Sequence, residues 1–551
     1  MQTGGRPIFW RTEALIATVV TACVLLVYAS QVAPTLTWRN AGADGGDLAA
    51  AVATLGIPHP TGYPTYVLVG RLFTVLLPWG DIAYRLNLMS ATFAAAAAGA
   101  LYLAARLLQC LISTQDSGSP STGLPQAKPR DSGQALWTRQ GVAATGSLAY
   151  AFAPVPWSQA TITEVYALLA FFAAALLVCT LGWLRALESS PSGWKATRWL
   201  AAGALVTGLG MGNHLTLGFV VAPGILLALA LRRNLRGSGL ALVALLAGIS
   251  VYAYIPWRAS ADPPVNWGHA TDWSGFLWLI TGAAYRPYAF GLPAALLPER
   301  LASYAGYLVQ QFNPAGFALA VLGAARLWAL SRTLSLATLW VFLLISVFSV
   351  LYNTGDSYIY LLLAFLVMAL WLVVGMQYLI EEALAPRMVV RRSLAKVSVA
   401  MALAAGLAIF PGVSLVRHYA SQDLRNDTSA IDYARQVAAT AQPDALIVAQ
   451  SERHVFSLWY YQYALAPTWS ATVLSAELMQ YDWYVAETRR RFPGLAAPTE
   501  PDNAARLRRL IDAALPIRPV YLTDPNKDIL NAFLAEQQGP LYRITGPRPA
   551  Q

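Results

Sequence analysis

Eleven long apolar runs constrain the fold of this chain more than any other feature of its sequence. A helix needs about 20 mostly apolar residues to cross a bilayer, or somewhat fewer where neighbours bury its ends. Hydrophobic residues fill 56% of the 551 positions and charged residues only 12%, about half the charged fraction of an average soluble protein. The sequence therefore predicts a mostly α-helical, polytopic membrane protein. The predicted spans are residues 14–33, 86–112, 140–156, 160–184, 197–211, 214–231, 239–256, 312–331, 335–351, 358–380 and 394–414.

Basic residues cluster in alternate loops, which is the pattern expected on the cytoplasmic side of a membrane. This pattern accounts for the net charge of +10, so no nucleic-acid partner is expected. The first run is interpreted as an uncleaved helix with a cytoplasmic N-terminus, because it is too long for a signal peptide and no small-residue cleavage site follows. Eleven spans then leave the C-terminal region outside, and we expect a multi-pass membrane protein. The clusters comprise Lys128, Arg130 and Arg139; Arg185, Lys195 and Arg198; Arg232, Arg233 and Arg236; Arg326 and Arg332; and Arg387, Arg391, Arg392 and Lys396.

The composition changes near residue 415, where charged residues return at ordinary density. This change divides the chain into a transmembrane domain, 1–414, and an extracytoplasmic domain, 415–551. Alternating helical and strand patterns predict a small α/β fold with a mostly parallel sheet. No glycine-rich phosphate loop occurs there, so a nucleotide site is not indicated. The predicted helices are 427–441, 455–463, 477–491 and 503–515, and the predicted strands are 445–450, 472–475 and 520–524.

Two carboxylates, Asp44 and Asp47, follow the first span. Leu48, Val52 and Leu55 recur behind them at helical spacing, which places both carboxylates on one face of a first helical turn. Ionisable groups at a membrane face are costly and usually functional, so we interpret the pair as a general base with a supporting acid. The alternative is a capping box, in which the pair satisfies free amides at a helix N-terminus.

A proline-rich block, Pro58 to Pro64, comes next. Its prolines fix backbone angles and force the preceding residues to be extended. The block therefore predicts a rigid elbow that can hold His59 and Tyr63 over a cavity. The alternative is a simple turn that returns the chain to the membrane.

Further polar residues fall at span ends on the same predicted outer face. Cations there suit a phosphate leaving group and carboxylates suit a hydroxyl acceptor, whereas snorkelling arginines and interfacial aromatic belts are the alternatives. These candidate substrate-binding residues are Arg85, Asn87, Glu164, Tyr166, Asn213, His214, Arg258 and Asp356.

Several sequence blocks together resemble one known family. They are Asp44-Gly45-Gly46-Asp47-Leu48, the run from Leu55 to Pro64 with its His-Pro-Thr-Gly-Tyr-Pro block, Arg85 to Ala91, and Gly212-Asn213-His214-Leu215-Thr216. The chain resembles the membrane family long catalogued as a domain of unknown function, which includes an animal protein O-mannosyltransferase and belongs with the glycosyltransferases of the C fold (GT-C). In the tail, Asp432-Tyr433-Ala434, Phe456 to Tyr460 and Asp482-Trp483-Tyr484 look like bacterial members, so the resemblance implies a bacterial inner membrane.

The resemblance implies an inverting glycosyltransferase that uses a polyprenyl-phosphate sugar, with mannose as the first candidate. It makes Asp44 the candidate base, while Asp47 stands where the family more often has glutamate. The acceptor hydroxyl on a protein, glycan or lipid stays open. Neither a cofactor nor a metal is expected, because side-chain cations can neutralise the departing polyprenyl phosphate. His59, Arg85, His214 and Arg258 are the candidates for that role.

Two other classes of function remain as alternatives. A transporter or flippase needs polar groups at mid-membrane depth and interrupted helices in corresponding halves. The polar residues of this chain instead lie at span ends on one side. A non-catalytic receptor or scaffold predicts that the tail matters more than Asp44, His59 or Arg85.

Overall fold

The computed structural model describes residues 6–116, 133–189, 193–218, 237–384, 393–495 and 500–549. Most of the span predicted at 214–231 and several residues of the predicted basic clusters lie outside these ranges.

Twenty α-helices are described in chain order. Those of the first 419 residues are α1 (Arg6–Ala29), α2 (Gly45–Thr54), α3 (Pro64–Leu76), α4 (Ile82–Asp116), α5 (Gly133–Ala151), α6 (Pro154–Ala160), α7 (Tyr166–Ser189), α8 (Trp194–Met211), α9 (Ser238–Ile249), α10 (Tyr254–Ala259), α11 (Trp273–Ile280), α12 (Leu297–Leu330), α13 (Arg332–Leu351), α14 (Leu362–Tyr378) and α15 (Ser393–Tyr419). Those that follow are α16 (Ser429–Thr440), α17 (Glu452–Tyr460), α18 (Asp482–Arg491), α19 (Asn503–Ala514) and α20 (Lys527–Leu530).

Seven helical segments within the described ranges are long and apolar enough to cross a membrane, so the protein is a multi-pass membrane protein. The predicted count of eleven spans is not confirmed. The run at 140–156 is divided between α5 and α6, and the runs at 197–211 and 394–414 form α8 and α15. None of these helices is among the seven. The seven segments are Trp10–Ala29, Ile82–Ser113, Tyr166–Glu188, Ser238–Ala259, Ala294–Leu330, Arg332–Leu351 and Ser357–Ala383.

The span predicted at 160–184 begins later than expected. The short helix α6 ends at Ala160, residues 161–165 are non-helical, and α7 begins at Tyr166. Apolar residues on both sides of this break hide it in a hydrophobicity pattern. The break places Glu164 in a buried loop rather than inside a helix.

Helix α14 lies at the centre of the membrane bundle. Every residue from Leu362 to Gln377 is buried, and α4, α5, α7, α12 and α13 pack around it. The approach of α12 is very close, because a Cβ added at Gly323 would collide with the backbone carbonyl of Trp371. Glycine at position 323 therefore permits the α12–α14 contact.

A buried ion pair joins α1 and α4. The Glu13 carboxylate accepts hydrogen bonds from Nε and Nη2 of Arg106 at 3.1 and 2.9 Å, and from the Tyr102 hydroxyl. Gln140 of α5 donates to the same carboxylate at 3.1 Å. The sequence analysis did not single out these residues, which tie three helices together.

The C-terminal region contains a five-stranded sheet in the order β2-β1-β3-β5-β4. Its strands β1, β2 and β3 pair in parallel, whereas β5 runs antiparallel to both β3 and β4. The sheet is therefore mixed rather than mostly parallel, because the chain ends in a hairpin that the sequence analysis did not predict. The strands are β1 (Leu446–Ala449), β2 (Thr472–Ser475), β3 (Val520–Leu522), β4 (Phe533–Gln538) and β5 (Leu541–Pro547).

Candidate active site

Asp44 occupies the N-cap position of α2, but its side chain makes no capping hydrogen bond. Asp47, three residues later, directs its carboxylate away from the helix terminus to His59 and Trp267. The capping-box alternative is therefore wrong. The helix predicted from Leu48 and Val52 does form, and it presents both acids to the same neighbouring loop.

The Asp47 carboxylate is fully buried and accepts three hydrogen bonds. One oxygen, Oδ2, accepts from the backbone N–H of His59 and contacts His59 Nδ1, both at 2.8 Å. The other oxygen, Oδ1, accepts from the indole N–H of Trp267 at 3.1 Å. A carboxylate bound to one imidazole nitrogen fixes the tautomer and orientation of the ring. Asp47 thus orients His59, and its second contact anchors the loop that carries Trp267.

The opposite edge of the His59 ring points towards Asp44, with Nε2 3.6 Å from Asp44 Oδ2. Burial lowers the pKa of His59, but the carboxylates of Asp44 and Asp47 outweigh it and raise the pKa to about 9. For Asp44, desolvation raises the pKa, the His59 charge lowers it, and the negative charges of Asp356 and Asp47 raise it, with a net rise. Near neutral pH, a cationic imidazolium therefore lies between two acids. The Asp44 side chain remains 36% exposed, so a substrate can reach it.

The proline-rich block packs its aromatic side chains around this centre. Tyr63 donates its hydroxyl to the Pro60 carbonyl at 3.0 Å, and its ring lies 5.0 Å from that of His59. On its other side it stacks on His214 at 6.0 Å. The elbow prediction agrees with this geometry, because Tyr63 precedes α3 in a left-handed conformation that redirects the chain.

His214 extends the site away from the acids. Its Nδ1 contacts the Thr216 hydroxyl at 2.8 Å, and its ring contacts those of Tyr166 and Tyr360 at 5.7 and 5.8 Å. Two predicted residues, Tyr166 and His214, therefore lie together in one aromatic cluster beside Tyr63.

Glu164 is buried at the same site, and its Oε1 has no hydrogen-bond partner among the described residues. Burial and the negative charge of Asp44 raise the pKa of its carboxyl group. Asp356 raises the pKa of both Glu164 and Asp44 through its own charge. These three acids therefore share one electrostatic environment with His59.

Two predicted amides hold the scaffold. Asn87 donates to the carbonyls of Ala33 and Thr35 and accepts from the Thr163 hydroxyl. Asn213 donates to the Val165 carbonyl at 3.1 Å, and its Oδ1 is buried without a partner among the described residues. Asn87 fastens the end of the first span, and Asn213 fastens the loop before α7.

The two predicted phosphate-binding arginines bind backbone instead. Arg85 donates to the carbonyls of Thr74, Trp79 and Gly80. Arg258 donates to those of Leu55 and Thr54 at the C-terminal end of α2. The structure therefore gives both arginines partners in the scaffold, because carbonyls left free by chain turns and helix ends attract guanidinium groups. The alternative in which these arginines extend towards lipid head groups does not fit either, because both guanidinium groups bind backbone carbonyls.

Four residues that were not among the candidate site residues complete the site. Trp267 donates its indole N–H to Asp47. The ring centroid of Tyr285 lies 6.4 Å from that of His59. Phe456 stacks on His59 with the ring centroids 6.4 Å apart and an angle of 16° between the ring planes. Glu452 lies one helical turn before Phe456 on α17, and its charge interacts with Asp44 and His59. Burial first, and then the charges of Asp44 and Glu477, raise the pKa of Glu452 to about 8. Of these four, Phe456 carried a sequence signal, in the tail block from Phe456 to Tyr460, but nothing local indicated that it reaches His59 by long-range packing.

The contact between α17 and α2 is close. A Cβ added at Gly46 would collide with the backbone carbonyl of Phe456. The indole N–H of Trp38 donates to the Ser457 hydroxyl, and the Tyr460 hydroxyl accepts from the backbone N–H of Ala83. The C-terminal region therefore forms one wall of the site. No group of three or more His, Cys, Asp or Glu side chains within the described residues could hold a metal ion.

Known proteins of one family are similar to this chain in sequence. The family model for the N-terminal domain of protein O-mannosyl-transferase TMEM260 matches residues 44–238. The mouse (Mus musculus) protein O-mannosyl-transferase TMEM260 is 24% identical over 511 residues, which cover 89% of this chain and 66% of that protein. The family resemblance predicted from the sequence is confirmed. The chain spans just under two thirds of the length of this relative.

Solved structures support the fold. ArnT from Cupriavidus metallidurans bound to undecaprenyl phosphate superimposes with a TM-score of 0.55, and its apo state with 0.56. Both are 12% identical in sequence, and each comparison covers 98% of both chains. The fold is accordingly the GT-C fold. The matched family segment begins at Asp44 and includes Asp47, His59 and His214, while Arg258 and Asp356 lie beyond it.

Proposed function

We propose that this protein is an inverting glycosyltransferase that moves a sugar from a polyprenyl-phosphate donor to a hydroxyl acceptor at the outer membrane face. The observation that carries the proposal is the arrangement of Asp44, His59 and Asp47, in which a buried acid orients a cationic imidazole against an accessible acid. The TMEM260 relative supports a glycosyl transfer, with mannose as the first candidate sugar. ArnT, which binds undecaprenyl phosphate, supports a polyprenyl-phosphate donor.

In the proposed reaction, Asp44 takes the proton from the acceptor hydroxyl as its oxygen attacks the anomeric carbon. The bond between that carbon and the phosphate oxygen breaks, and polyprenyl phosphate leaves with the electron pair. A single displacement inverts the configuration of the sugar. The raised pKa of Asp44 strengthens it as a base, because a general base works best when its pKa lies near the operating pH.

Within this proposal, His59 supplies positive charge beside the base. Its charge opposes the accumulation of negative charge from Asp44, Asp356 and Glu164. The charge of Glu452 on α17 interacts with that of Asp44, so within this proposal the C-terminal region helps to position the attacking hydroxyl. We place the site at the outer membrane face because the basic clusters alternate along the chain.

The test is turnover of polyprenyl-phosphate sugars by the purified protein, followed by mass spectrometry of the released polyprenyl phosphate. The wild type should release it with one sugar, and Asp44→Asn should lower the rate about 100- to 10,000-fold, the usual contribution of general-base catalysis. Asp423→Asn, which removes a partly buried partner of the exposed Arg425, is the matched control and should turn over normally. Unchanged turnover by the Asp44→Asn variant would remove Asp44 as the base.

Wild-type protein that moves a solute across proteoliposomes without releasing polyprenyl phosphate would contradict the proposed reaction and favour a transporter. Thermal unfolding of each variant separates loss of chemistry from loss of structure.

A further inference from the structure

The proposed reaction leaves one requirement without a residue. A polyprenyl phosphate that departs needs positive charge near its oxygens, since stabilising the developing charge is commonly the largest catalytic contribution. Arg85 and Arg258 direct their N–H groups to backbone carbonyls. His59 lies between Asp44 and Asp47. The inference that follows rests on the proposed function and names a different cation.

Arg300 lies in the first turn of α12. Its Nη1 donates to the Ser357 hydroxyl at 2.5 Å and to the Thr354 carbonyl at 3.0 Å. Among the described residues, Nε and Nη2 of Arg300 have no hydrogen-bond acceptor, and the Thr354 hydroxyl is buried without a partner. A guanidinium held by one nitrogen keeps the planar pair of N–H donors that suits two phosphate oxygens.

Arg300 opens onto a cavity of about 260 Å³ between α12, α13 and the loop that precedes α14. This volume is a little below the roughly 300–1,000 Å³ of pockets that enclose whole drug-sized ligands. It suits a head group whose hydrocarbon chain stays outside. The hydroxyl groups and the carboxylate on its wall suit a sugar. The rings of Tyr307 and Tyr358 stack there, with centroids 4.8 Å apart and an angle of 6° between their planes. The wall includes Glu299, Ser303, Tyr304, Tyr307 and Tyr358.

The cavity adjoins the catalytic acids through a single short loop. Gly355 and Ser357 line the cavity, while the charge of Asp356 between them acts on Asp44 and Glu164. A head group in the cavity would thus lie beside this loop, with its sugar end directed past the loop towards an acceptor at Asp44. Leu301, which follows Arg300 on α12, and Val347 on α13 are exposed apolar side chains, which provide a surface for a lipid chain.

We propose that this cavity binds the glycosyl-phosphate head group of the donor, with Arg300 paired to the phosphate oxygens. The tyrosine and serine hydroxyls and Glu299 face the sugar, and the polyprenyl chain lies along α12 and α13. After transfer, the same arginine holds the phosphate that has been released.

Binding of undecaprenyl phosphate to the full-length protein tests the site without knowledge of the sugar or acceptor. Arg300→Gln should weaken binding roughly 10- to 100-fold, the effect of losing hydrogen bonds to a charged group. Arg300→Lys keeps the charge but loses the planar fork, and should bind with intermediate affinity. Arg286→Gln removes an exposed arginine whose bond goes to Thr281, and should bind like the wild type.

Two further ligands identify what Arg300 recognises. Undecaprenol, which lacks the phosphate, should bind equally to the wild type and to Arg300→Gln. Inorganic phosphate should compete weakly, because it lacks the lipid chain. If Arg300→Gln weakens the binding of undecaprenol as much as that of undecaprenyl phosphate, Arg300 only supports the structure and the assignment is overturned. Equal undecaprenyl phosphate binding by wild type and Arg300→Gln would also overturn the assignment.

Ser357→Ala separates the cation from the loop that it supports. The substitution removes a cavity hydroxyl that Arg300 contacts but removes no charge, so binding should weaken clearly less than in Arg300→Gln. A loss as large as that of Arg300→Gln would show that loop geometry, rather than the cation, controls binding.

The failure of this inference differs from the failure of the proposed function. Wild-type turnover together with normal binding and turnover by Arg300→Gln would reject only the role of Arg300. Phosphate-dependent binding through Arg300, without turnover of any donor, would reject the transferase and keep the binding site.

Discussion

The His59 side chain should titrate far above an ordinary histidine. Its pKa rises from 6.5 to about 9, which corresponds to about 3 kcal/mol of preference for the charged ring at 1.36 kcal/mol for each pH unit. Burial works against this charge, so the two neighbouring acids supply more than the net amount. Because the folded pKa exceeds the unfolded one, the resulting stabilisation is complete below about pH 6.5 and is lost as the pH rises through about 9.

Nuclear magnetic resonance of protein labelled with ¹³C-histidine can measure this titration, since the chain has only five histidines. The resonance that disappears in His59→Gln identifies His59. Asp44→Asn and Asp47→Asn should each lower the pKa of His59, because each removes one of the negative charges that raise it. The pKa of His59 should fall furthest in the double variant, since burial is then opposed only by the charge of Glu164.

Asp524→Asn is the matched control for this titration. Asp524 contacts His454 at 2.8 Å, the same distance as Asp47 from His59, but lies in the C-terminal region. Its removal should change the titration of His454 and leave that of His59 unchanged. A His59 that titrates near 6.5 in the wild type, or that ignores both aspartate substitutions, would refute the electrostatic account of the site.

Two other predictions concern stability. Glu13→Gln should destabilise the protein by about 3–5 kcal/mol, because it removes the buried carboxylate that Arg106 contacts. The control Asp432→Asn, at an exposed carboxylate, should change the free energy of unfolding by less than about 0.5 kcal/mol. An equal effect of Glu13→Gln and Asp432→Asn would contradict this reasoning. Glu452→Gln should raise the unfolding temperature at pH 9 but not at pH 4, since the raised pKa of Glu452, about 8, makes its ionisation unfavourable in the folded state. Glu536→Gln, at an exposed position of β4, should leave the unfolding temperature unchanged at both pH values. A rise at pH 9 as large as that of Glu452→Gln would assign the effect to surface charge.

Sequence periodicity predicted those elements whose apolar pattern is local. Leu48 and Val52 predicted α2 correctly, and the strand at Thr472–Ser475 was predicted with its observed bounds. Helix α3 was missed because 13 residues are too few for a span and follow a proline-rich turn. The break before Tyr166 was missed because the residues on both sides of it are apolar.

The chemistry of the site was only partly readable from the sequence, for a different reason. Asp44, Asp47, His59 and Tyr63 lie within one short segment, so local spacing brought them together. Arg85 and Arg258 carried the right charge, but the carbonyl groups that bind them become available only once the chain turns.

The contribution of the C-terminal region shows why a composition boundary near residue 415 is a poor guide to the site. Phe456 stacks on a histidine almost 400 positions earlier, and Gly46 has room for this contact only because it lacks a Cβ. Such a contact leaves no trace in hydropathy, since an aromatic residue on an amphipathic helix looks like an ordinary core residue. The same contact excludes water from one side of His59, so the two acids act on its ring in a less polar environment, where charges interact more strongly. The electrostatics of the N-terminal acids therefore depend on a helix that the sequence pattern assigns to a separate domain.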